Sequence, residues 1–352
     1  MPSGKGLSKK GVVIGMADIL QVLGDIGSRV DEKMLELLAV GASKDFQQVV
    51  FHQVQAGGKR IRPALTILFC EAVGGTIENS ISTAAAIELV HNYSLILDDI
   101  IDDADVRRNL PTTWKKFGLN FGVLASTHYR EAIEEAILQS PNPLVIARIV
   151  ADTIRELVEG ERLDILFEQI PSKEEYAETH RYHDVTLEDY ETMIGNKTAA
   201  LIRAACETGV ICAKGSEALQ TAARDFGWNA GIAFQLADDM LDLFAEEAKL
   251  GKKSGKDIYE HKLGNAIMLN ALPLLSEKNR TYSLKILRSK HPSDAEVQKV
   301  ISLLQETKAS QIVQKQAAKL VKDAKSALKH FPNKEKTKLL ETLVDFIYQR
   351  SF

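Results

Sequence analysis

The stretch Asp98-Asp99-Ile100-Ile101-Asp102-Asp103 decides how this chain is interpreted, together with a second acidic cluster, Asp238-Asp239-Met240-Leu241-Asp242. Each cluster ends an apolar run with helical spacing, residues 87–97 before the first and 230–237 before the second. Residues four apart share a helix face, so we expect each cluster to stack its carboxylates in like-charged pairs. The pairs are Asp98 with Asp102, Asp99 with Asp103, and Asp238 with Asp242.

Such pairs cost roughly 0.2–0.5 kcal/mol each on an isolated helix, and more at the edge of a core. A cation that binds both carboxylates would remove that cost. Hard oxygen ligands favour Mg²⁺, which takes one or two carboxylates together with substrate phosphates. The pattern therefore predicts metal ions that hold a phosphorylated ligand between two helices. Two solvated acidic patches are the alternative, which the apolar runs before them disfavour.

Three cationic segments are available to bind phosphate. In Gly57-Gly58-Lys59-Arg60-Ile61-Arg62-Pro63, Pro63 suits a first helical turn, and a helix N-terminus favours an anion. Arg107-Arg108 can grip phosphate oxygens in fork geometry. Residues 249–257, rich in Gly and Lys, are expected to form a flexible loop that can close over an anion. For each segment alone, a solvated basic surface is the alternative.

His91 adds a further candidate. It lies seven residues before Asp98, so it sits roughly 10 Å below it on about the same helix face. A lone histidine on an apolar helix is more often a core residue with satisfied hydrogen bonds. Here it is predicted to point into the same space as the carboxylates. Both interpretations, a substrate-binding residue and a core residue, are therefore open.

Taken together, these residues resemble the trans-prenyltransferases, the isoprenyl diphosphate synthases that make farnesyl and geranylgeranyl diphosphate. The resemblance runs from about Phe51 to the C-terminus. Its motifs are the basic segment 57–63, the two Asp-Asp-x-x-Asp clusters, Arg107-Arg108, Lys197-Thr198, Phe234-Gln235 and Gly255-Lys256-Asp257. One acidic cluster alone would be weak, whereas the ordered set is highly specific. The resemblance implies the all-α isoprenoid synthase fold, a helical bundle around a central substrate cavity.

The resemblance also implies a role for each matching position. Isopentenyl diphosphate would bind Lys59, Arg62, His91 and Arg108. The allylic diphosphate would bind Arg107, Lys197, Thr198, Gln235, Lys252 and Lys262. The main Mg²⁺ ligands would be Asp98, Asp102 and Asp238, with Asp99, Asp239 and Asp242 close by. Asp98, Asp102, Lys197, Thr198, Gln235 and Asp238 would carry the catalysis.

The chemistry explains why these residue types are needed. Mg²⁺ and the cations neutralise charge on the departing diphosphate, so that the allylic C–O bond can ionise. The double bond of isopentenyl diphosphate then attacks the carbocation, and a proton is lost to the released pyrophosphate. No protein nucleophile is required, but the cavity wall must exclude water.

Tyr93 and Ser94 are the candidates that set product length. Tyr93 lies five residues before Asp98, roughly 7–8 Å lower along the helix axis, and Ser94 is one turn beneath Asp98. An aromatic residue at this position resembles the archaeal-type geranylgeranyl diphosphate synthases. We therefore expect geranylgeranyl diphosphate as the main product, with farnesyl or geranylfarnesyl diphosphate as alternatives. If Tyr93 is an ordinary core residue, Val90 and Tyr129 are the next candidates.

Helical periodicity dominates the chain, alternating strand patterns are scarce, and no Pro/Gly/Ser-rich linker divides it. The sequence therefore predicts one all-α domain over residues 13–352, with residues 1–12 as a mobile tail. Ser80 or Ser82 is expected to cap the first acidic helix and Ser216 the second. The pattern of residues 186–189 predicts a capping box. Gly74-Gly75 and residues 140–143 are predicted to end helices.

The amino-acid composition limits the cellular location and the kinds of partner that we expect for this protein. Three unpatterned cysteines, Cys70, Cys206 and Cys212, lie in apolar segments, which predicts buried thiols and a reduced, cytoplasmic location. A net charge of -4 argues against general nucleic-acid binding. Residues 11–16 are too short an apolar run to span a membrane, and the Lys-rich residues 308–338 predict solvated helix faces rather than a membrane-binding stripe. The resemblance implies a homodimer.

The sequence departs from the family pattern in two places. Ser126-Thr127 stands where many relatives have a Gly-Asp pair, ahead of the unusually polar residues 128–131, and Glu161 stands where a glutamine is common. These departures bear on the pocket floor and the dimer contact more than on the reaction.

Three other interpretations are open. They are a terpene cyclase, a catalytically weak partner subunit of a heteromeric synthase, and a structural helical bundle. The second aspartate cluster and the isopentenyl-site cations argue against a cyclase. Retention of both acidic clusters argues against a weak subunit, and the joint occurrence of the motifs argues against a purely structural protein.

Overall fold

The computed structural model describes residues 15–244 and 254–349. Its helices, in chain order, are α1 (Met16–Ala39), α2 (Lys44–Val50), α3 (His52–Gln55), α4 (Ile61–Val73), α5 (Ile77–Ile101), α6 (Thr113–Phe117), α7 (Leu119–Leu138), α8 (Pro143–Leu166), α9 (Glu175–His180), α10 (Leu187–Ile194), α11 (Ala200–Cys212), α12 (Glu217–Phe244), α13 (Lys256–Tyr259), α14 (Ala266–Ala271), α15 (Glu277–Leu287), α16 (Asp294–Gln305), α17 (Ala309–Ala327) and α18 (Lys334–Gln349). A π-helical turn, Gly195–Ala199, joins α10 to α11, and 3₁₀ turns follow α14 (Leu272–Leu274) and α17 (Leu328–His330). The all-α prediction is confirmed.

Helix α5 is the central element of the bundle. It is buried on all sides from Thr83 to Val90, as expected for a helix that is apolar around its circumference. Helices α4, α7 and α11 pack around it, and α12 packs on α11 and α17. The two acidic clusters therefore belong to helices that are fixed by the core.

Glycines let several of these helices touch backbone to backbone. A Cβ at Gly209 of α11 would lie 2.2 Å from the Thr66 carbonyl oxygen of α4. A Cβ at Gly227 of α12 would lie 2.6 Å from the Cα of Arg203 in α11. Real Cβ atoms do not approach so closely, so α4, α11 and α12 can be stacked this tightly only with glycine at these positions.

The helix boundaries confirm most of the predicted punctuation. Asp189 completes the predicted capping box with Thr186 at the start of α10. Ser216 Oγ accepts from the Leu219 N–H at 3.4 Å at the start of α12. Helix α4 ends at Val73 with Gly74 as its C-cap, and the break between α7 and α8 overlaps the predicted stop.

The predicted cap of α5 was wrong. Thr76 is the N-cap residue, and its N–H donates to Asn79 Oδ1 at 3.0 Å, so the helix begins before Ser80. Ser80 lies inside the helix and its hydroxyl donates back to the Thr76 carbonyl. Such a back-bond satisfies a serine within a helix, which is why serine alone does not locate a cap.

A short hairpin interrupts the helices after α5 and was not anticipated. Strands β1 (Val106–Arg107) and β2 (Leu110–Pro111) pair in antiparallel register. The two turn residues, Arg108 and Asn109, have φ values of 53° and 64°, the positive values of a primed hairpin turn. Strands of two residues are too short to show an alternating pattern.

The cysteines are confirmed as free and buried. No helix within the described ranges is long and apolar enough to cross a membrane. The predicted tail at residues 1–12 and most of the predicted loop at residues 249–257 lie outside the described residues.

Candidate active site

Both acidic clusters occupy the C-terminal ends of their helices. Helix α5 ends at Ile101 with Asp102 as its C-cap, and α12 carries Asp238–Asp242 near its end at Phe244. A helix C-terminus already bears partial negative charge, so carboxylates there favour a cation. Asp103 has left the helix with a φ of 50°, so the predicted stacking of Asp99 on Asp103 was wrong.

The second aspartate of each cluster faces the protein interior. Asp99 is 1% exposed, and its Oδ1 accepts a hydrogen bond from Arg107 Nε at 2.8 Å and forms an ion pair with Arg107 Nη2 at 2.8 Å. Asp239 is buried as well, and it accepts from the Tyr190 hydroxyl at 2.7 Å, Gln235 Nε2 at 3.0 Å and the Ala266 N–H at 2.7 Å. These two carboxylates hold neighbouring elements in place behind the clusters.

The other predicted ligands lie closer to solvent. Asp98 is half-buried, and burial together with the nearby Glu161 carboxylate raises its pKa to about 7. Asp102 and Asp238 are exposed. Asp242 accepts hydrogen bonds from the backbone N–H groups of Lys256 and Asp257 at 3.0 and 3.2 Å. It therefore joins α12 to the start of α13.

An arginine that the sequence analysis did not single out organises the basic segment. Arg60 is 3% exposed, caps α4 in the left-handed conformation, and is held by Asp31 at 2.6 Å and Glu88 at 3.0 Å. Its third bond goes to the Val54 carbonyl at 2.9 Å. The signal that could have found this pair is Glu88 itself, a carboxylate in the middle of an apolar helical run.

Three of the four predicted isopentenyl-site residues come together beside Arg60. Burial and the adjacent Arg62 and Arg108 guanidinium groups hold the pKa of His91 well below its usual range, so the imidazole is neutral. Arg62 Nε is buried without a hydrogen-bond partner in the described chain. Arg108 donates to the Gly57 carbonyl. Lys59 lies exposed at the edge of the same segment.

Gly58 shapes this basic segment. Its φ is 148°, and a Cβ there would lie 2.9 Å from Arg60 Nη1 and 3.0 Å from Arg108 Nη1. The absent side chain lets two guanidinium groups approach the segment. Positive charge is therefore concentrated on one side of the first acidic cluster, where an anion would be bound.

Two predicted allylic-site lysines converge on one carboxylate. Lys197 Nζ and Lys262 Nζ lie 2.6 and 2.9 Å from Asp164 Oδ2, and Lys197 also pairs with Glu161 Oε2 at 2.6 Å. Burial alone would raise the pKa of Asp164, but the two ammonium groups hold it below its usual range. The sequence analysis did not single out Asp164, because it follows Leu163 in a run whose other residues are typical of a protein core.

The π-helical turn presents Lys197 at this site. The Ala200 N–H donates to the Gly195 carbonyl, five residues back, which widens the helix locally. A Cβ at Gly160 of α8 would lie 2.4 Å from the Lys197 nitrogen, and one at Gly231 of α12 would lie 2.5 Å from the Ala199 Cα. Glycines on both sides therefore let α8 and α12 contact the turn.

Thr198 and Gln235 form a chain of hydrogen bonds from the π turn to the second cluster. The Thr198 hydroxyl donates to Gln235 Oε1 at 3.1 Å, and Gln235 Nε2 donates to Asp239 Oδ1 at 3.0 Å. The amide orientation is thereby fixed. Arg107 is held by Asp99, whereas Lys252 lies outside the described residues.

An apolar cavity of about 340 Å³ opens beneath Asp98 and Lys197. Its walls come from α5 and α8 and include Tyr93, Ser94, Leu97, Ile154, Leu157 and Val158. Neither Val90 nor Tyr129 lines it. Tyr129 is fully buried, and its hydroxyl donates to the Val50 carbonyl at 2.7 Å. The site thus places phosphate-binding cations and carboxylates at the mouth of a cavity suited to a hydrocarbon chain.

This combination of an all-α bundle, paired aspartate clusters and an apolar cavity defines the class of prenyltransferases, and comparison with known proteins places the chain within it. Residues 43–304 match the model of the polyprenyl synthetase family. The chain belongs to that family and is a prenyltransferase.

Individual relatives support the assignment over nearly the whole length. A short chain isoprenyl diphosphate synthase from Methanothermobacter thermautotrophicus is 33% identical over 95% of this chain and 99% of the relative. The crystal structure of geranylgeranyl pyrophosphate synthetase from Pyrococcus horikoshii superposes with a TM-score of 0.85, at 32% identity over 95% of this chain and 98% of the other. Polyprenyl synthase from Caulobacter crescentus, in complex with calcium and isoprenyl diphosphate, gives 0.83 at 26% identity, covering 95% and 97%.

The donor set fits a divalent cation. The exposed oxygens at the two helix ends are hard carboxylate donors, and the buried Glu161 Oε1 lacks a hydrogen-bond partner in the described chain. Within residues 15–244 and 254–349, no three carboxylate, histidine or cysteine side chains already surround one point. Mg²⁺ characteristically completes its coordination with substrate phosphates and water, so this arrangement suits it.

Proposed function

We propose that this enzyme condenses isopentenyl diphosphate with allylic diphosphates in the presence of Mg²⁺, and that geranylgeranyl diphosphate is the main product. The observation that carries the proposal is the pair of cationic groups flanking Asp98. Arg62 and Arg108, next to the neutral His91, form one group, and Lys197 with Lys262 forms the other. Two diphosphates can then be held apart, with their hydrocarbon ends meeting above the apolar cavity.

On the isopentenyl side, the basic side chains divide into one that supports the segment and others that are available to bind the diphosphate. Arg60 is fully engaged by Asp31, Glu88 and a carbonyl, so it supports the segment rather than the substrate. Lys59, Arg62 and Arg108 supply the charge that binds the diphosphate. Because the His91 imidazole is neutral, it contributes a hydrogen bond rather than a charge.

On the allylic side, Lys197 and Lys262 bind the leaving diphosphate. Bound Mg²⁺, held by Asp98, Asp102 and Asp238, would supply further neutralisation of its negative charge. Asp99, Asp239 and Asp242 keep those helix ends and the hairpin in register through their own hydrogen bonds. Each residue type is thereby matched to ionisation of the allylic C–O bond.

The resulting carbocation needs stabilising dipoles and a dry wall. Thr198 in the π turn donates to Gln235 of α12, and Gln235 donates to Asp239, so the orientation of both side chains is preorganised. The apolar lining from α5 and α8 excludes water from the cation. The proton released after coupling leaves with the pyrophosphate, which needs no additional protein base.

Product length follows from the cavity. Tyr93 and Ser94 both line it, five and four residues before Asp98, and we expect the larger Tyr93 side chain to form its floor. The solved relative from Pyrococcus horikoshii is named for the C20 product. Farnesyl and geranylfarnesyl diphosphate remain the alternative products, differing by one isoprene unit in either direction.

A homodimer through α7 and α8 accompanies this proposal. These helices expose large apolar side chains: Leu119, Phe121, Val123, Leu124, Leu138, Leu144, Val145 and Val158. Monomeric proteins seldom leave so many on neighbouring surfaces, and a second copy would cover them by two-fold symmetry. Light scattering at micromolar concentration should give a dimer mass for the wild type and for Leu274→Glu, and a smaller mass for Leu124→Glu.

Incubating purified enzyme with Mg²⁺, labelled isopentenyl diphosphate and each allylic primer tests the function directly. Chain-elongated, phosphatase-sensitive product is expected, and its loss on chelation. Asp98→Ala and Asp238→Ala should each lower turnover by orders of magnitude. Near-normal turnover in either folded variant would refute a mechanism that uses both clusters.

A further inference from the structure

Glu161 places a further carboxylate at the mouth of the cavity. It lines the same cavity as Asp98 and Lys197, and its side chain is 14% exposed. Its two oxygens differ in their surroundings. Oε2 pairs with Lys197 Nζ at 2.6 Å, whereas Oε1 is buried and has no hydrogen-bond partner in the described chain.

A buried carboxylate oxygen without a donor or cation is destabilising, by roughly 1–3 kcal/mol or more. Lys197 does not relieve it, because the same ammonium is shared with Asp164 Oδ2 at 2.6 Å. The other neighbour in the cavity, Asp98, is a second carboxylate. Two acidic side chains therefore face one space, and one of them has an oxygen that nothing in the described protein satisfies.

The charged groups at this end of the cavity also favour a bound cation. Asp98, Glu161 and Asp164 are three carboxylates beside the two ammonium groups of Lys197 and Lys262, and the other cation that lines the cavity, Arg162, is paired with Glu159. A neutral amide in place of Glu161 would leave the two signs equal. With the carboxylate present, additional positive charge would favour the binding of an anionic diphosphate there.

We propose that Glu161 is a ligand of the divalent cation at the first cluster, binding through Oε1 beside Asp98 while Oε2 keeps Lys197 in place. This inference rests on the proposed function, which identifies the allylic diphosphate as the ligand that the cation binds. It adds a ligand from α8 to those that the aspartate clusters supply. It also explains how a carboxylate is tolerated at a position that a glutamine would fill with no added charge.

Mn²⁺ titration of the substrate-free enzyme, followed by electron paramagnetic resonance of the unbound ion, tests the ligand role without turnover. Glu161→Gln should weaken Mn²⁺ binding by at least about tenfold, the lower end of what even outer partners of a metal contribute. Glu159→Gln is the matched control. It removes the same charge from the same helix, but Glu159 is exposed and pairs with Arg162, so its Mn²⁺ affinity should stay within about twofold of the wild type.

Equal Mn²⁺ affinities in Glu161→Gln and Glu159→Gln would overturn the inference. So would a Glu161→Gln enzyme that binds Mn²⁺ normally but binds inorganic pyrophosphate differently, because that pattern means Glu161 acts only through Lys197. If circular dichroism shows that Glu161→Gln does not fold, the charge-conserving pair Glu161→Asp and Glu159→Asp is compared by the same criterion. Wild-type turnover separates the two claims: an active wild type with unchanged Mn²⁺ binding in Glu161→Gln refutes this inference alone, whereas an inactive wild type refutes the proposed function.

Discussion

Arg107 Nε donates a hydrogen bond of 2.8 Å to Asp99 Oδ1, and Arg107 Nη2 lies in an ion pair 2.8 Å from the same oxygen. This contact joins the hairpin to the last turn of α5, so the second residue of the first acidic cluster is a structural anchor. Arg108, the next residue in the hairpin turn, reaches the Gly57 carbonyl. An acidic residue in one motif thus positions a phosphate-binding residue in another.

Asp99→Asn should therefore act mainly on isopentenyl diphosphate. Loss of the charge on this hydrogen-bonded ion pair, worth roughly 1.5–3 kcal/mol, lets the hairpin move and should raise the KM for that substrate about tenfold or more. Steady-state kinetics should show a much smaller change in kcat. Asp98→Asn provides the contrast, with kcat lowered by roughly 10²–10³. A kcat loss of the same size in Asp99→Asn would show that Asp99 is a metal ligand instead.

The two cationic groups should separate kinetically. Lys59→Ala and Arg108→Ala should raise the KM for isopentenyl diphosphate, whereas Lys197→Ala should impair use of the allylic substrate. Lys44→Ala, an exposed lysine on α2, should change neither. Initial rates with each substrate varied in turn measure the split. Identical defects toward both substrates in the two groups would contradict the assignment.

Gly160→Ala should damage the active site without touching a charged residue. The new methyl group would lie 2.4 Å from the Lys197 nitrogen, so α8 and the π turn must separate. We expect kcat with the allylic substrate to fall by roughly tenfold or more, since small misplacements of positioned groups are costly. Gly24→Ala in α1 is the control, because nothing lies within 4 Å of its Cβ position. It should leave activity unchanged and stabilise the helix by about 0.4–1 kcal/mol.

Tyr93→Ala should lengthen the product by one or more isoprene units, because it removes a ring from the cavity wall. Chromatography of the dephosphorylated products measures this. Tyr176→Ala, a 59% exposed tyrosine stacked on His180, should keep the wild-type distribution. If an active Tyr93→Ala enzyme also keeps it, the α8 wall residues Ile154 and Leu157 should be tested next.

Glu168→Gln should change how stability depends on pH. Burial raises the pKa of Glu168 to about 7, whereas an unfolded glutamate titrates near 4.3, about the model-peptide value. Between those values the folded state holds a proton that the unfolded state releases, so stability falls as pH rises toward 7 and the penalty stays above it. The substitution should raise Tm at pH 8 by the order of 2 °C, and less at pH 5. Glu174→Gln, at an exposed glutamate, should shift Tm little at either pH. An equal gain at both pH values would contradict the buried ionisation.

Helix content and the order of motifs could be predicted because they depend on local spacing. The capping box at Thr186 and the stop at Gly74 need only neighbouring residues, and both were found where expected. The cap of α5 was misplaced because a serine within a helix can satisfy its hydroxyl internally, as Ser80 does.

The candidate site was less predictable where it depends on contacts between distant segments. Asp164 and Glu88 meet Lys197 and Arg60 across different helices, and no spacing rule joins them. The π turn is equally hidden, because it is set by how α8 and α12 pack against it. What the sequence did show was that Glu88 and Asp164 are charged residues among apolar neighbours, a signal that each has a buried partner elsewhere.

The glycine contacts around the π turn have a consequence for how such an enzyme can change over time. Gly160 and Gly231 fix the turn through main-chain atoms, so the ionising end of the site does not depend on the size of neighbouring side chains. The cavity walls include Tyr93, Ile154 and Leu157, side chains that can be exchanged for smaller or larger residues. We therefore expect that mutation can change the length of the product while the residues that ionise the allylic substrate are inherited unchanged.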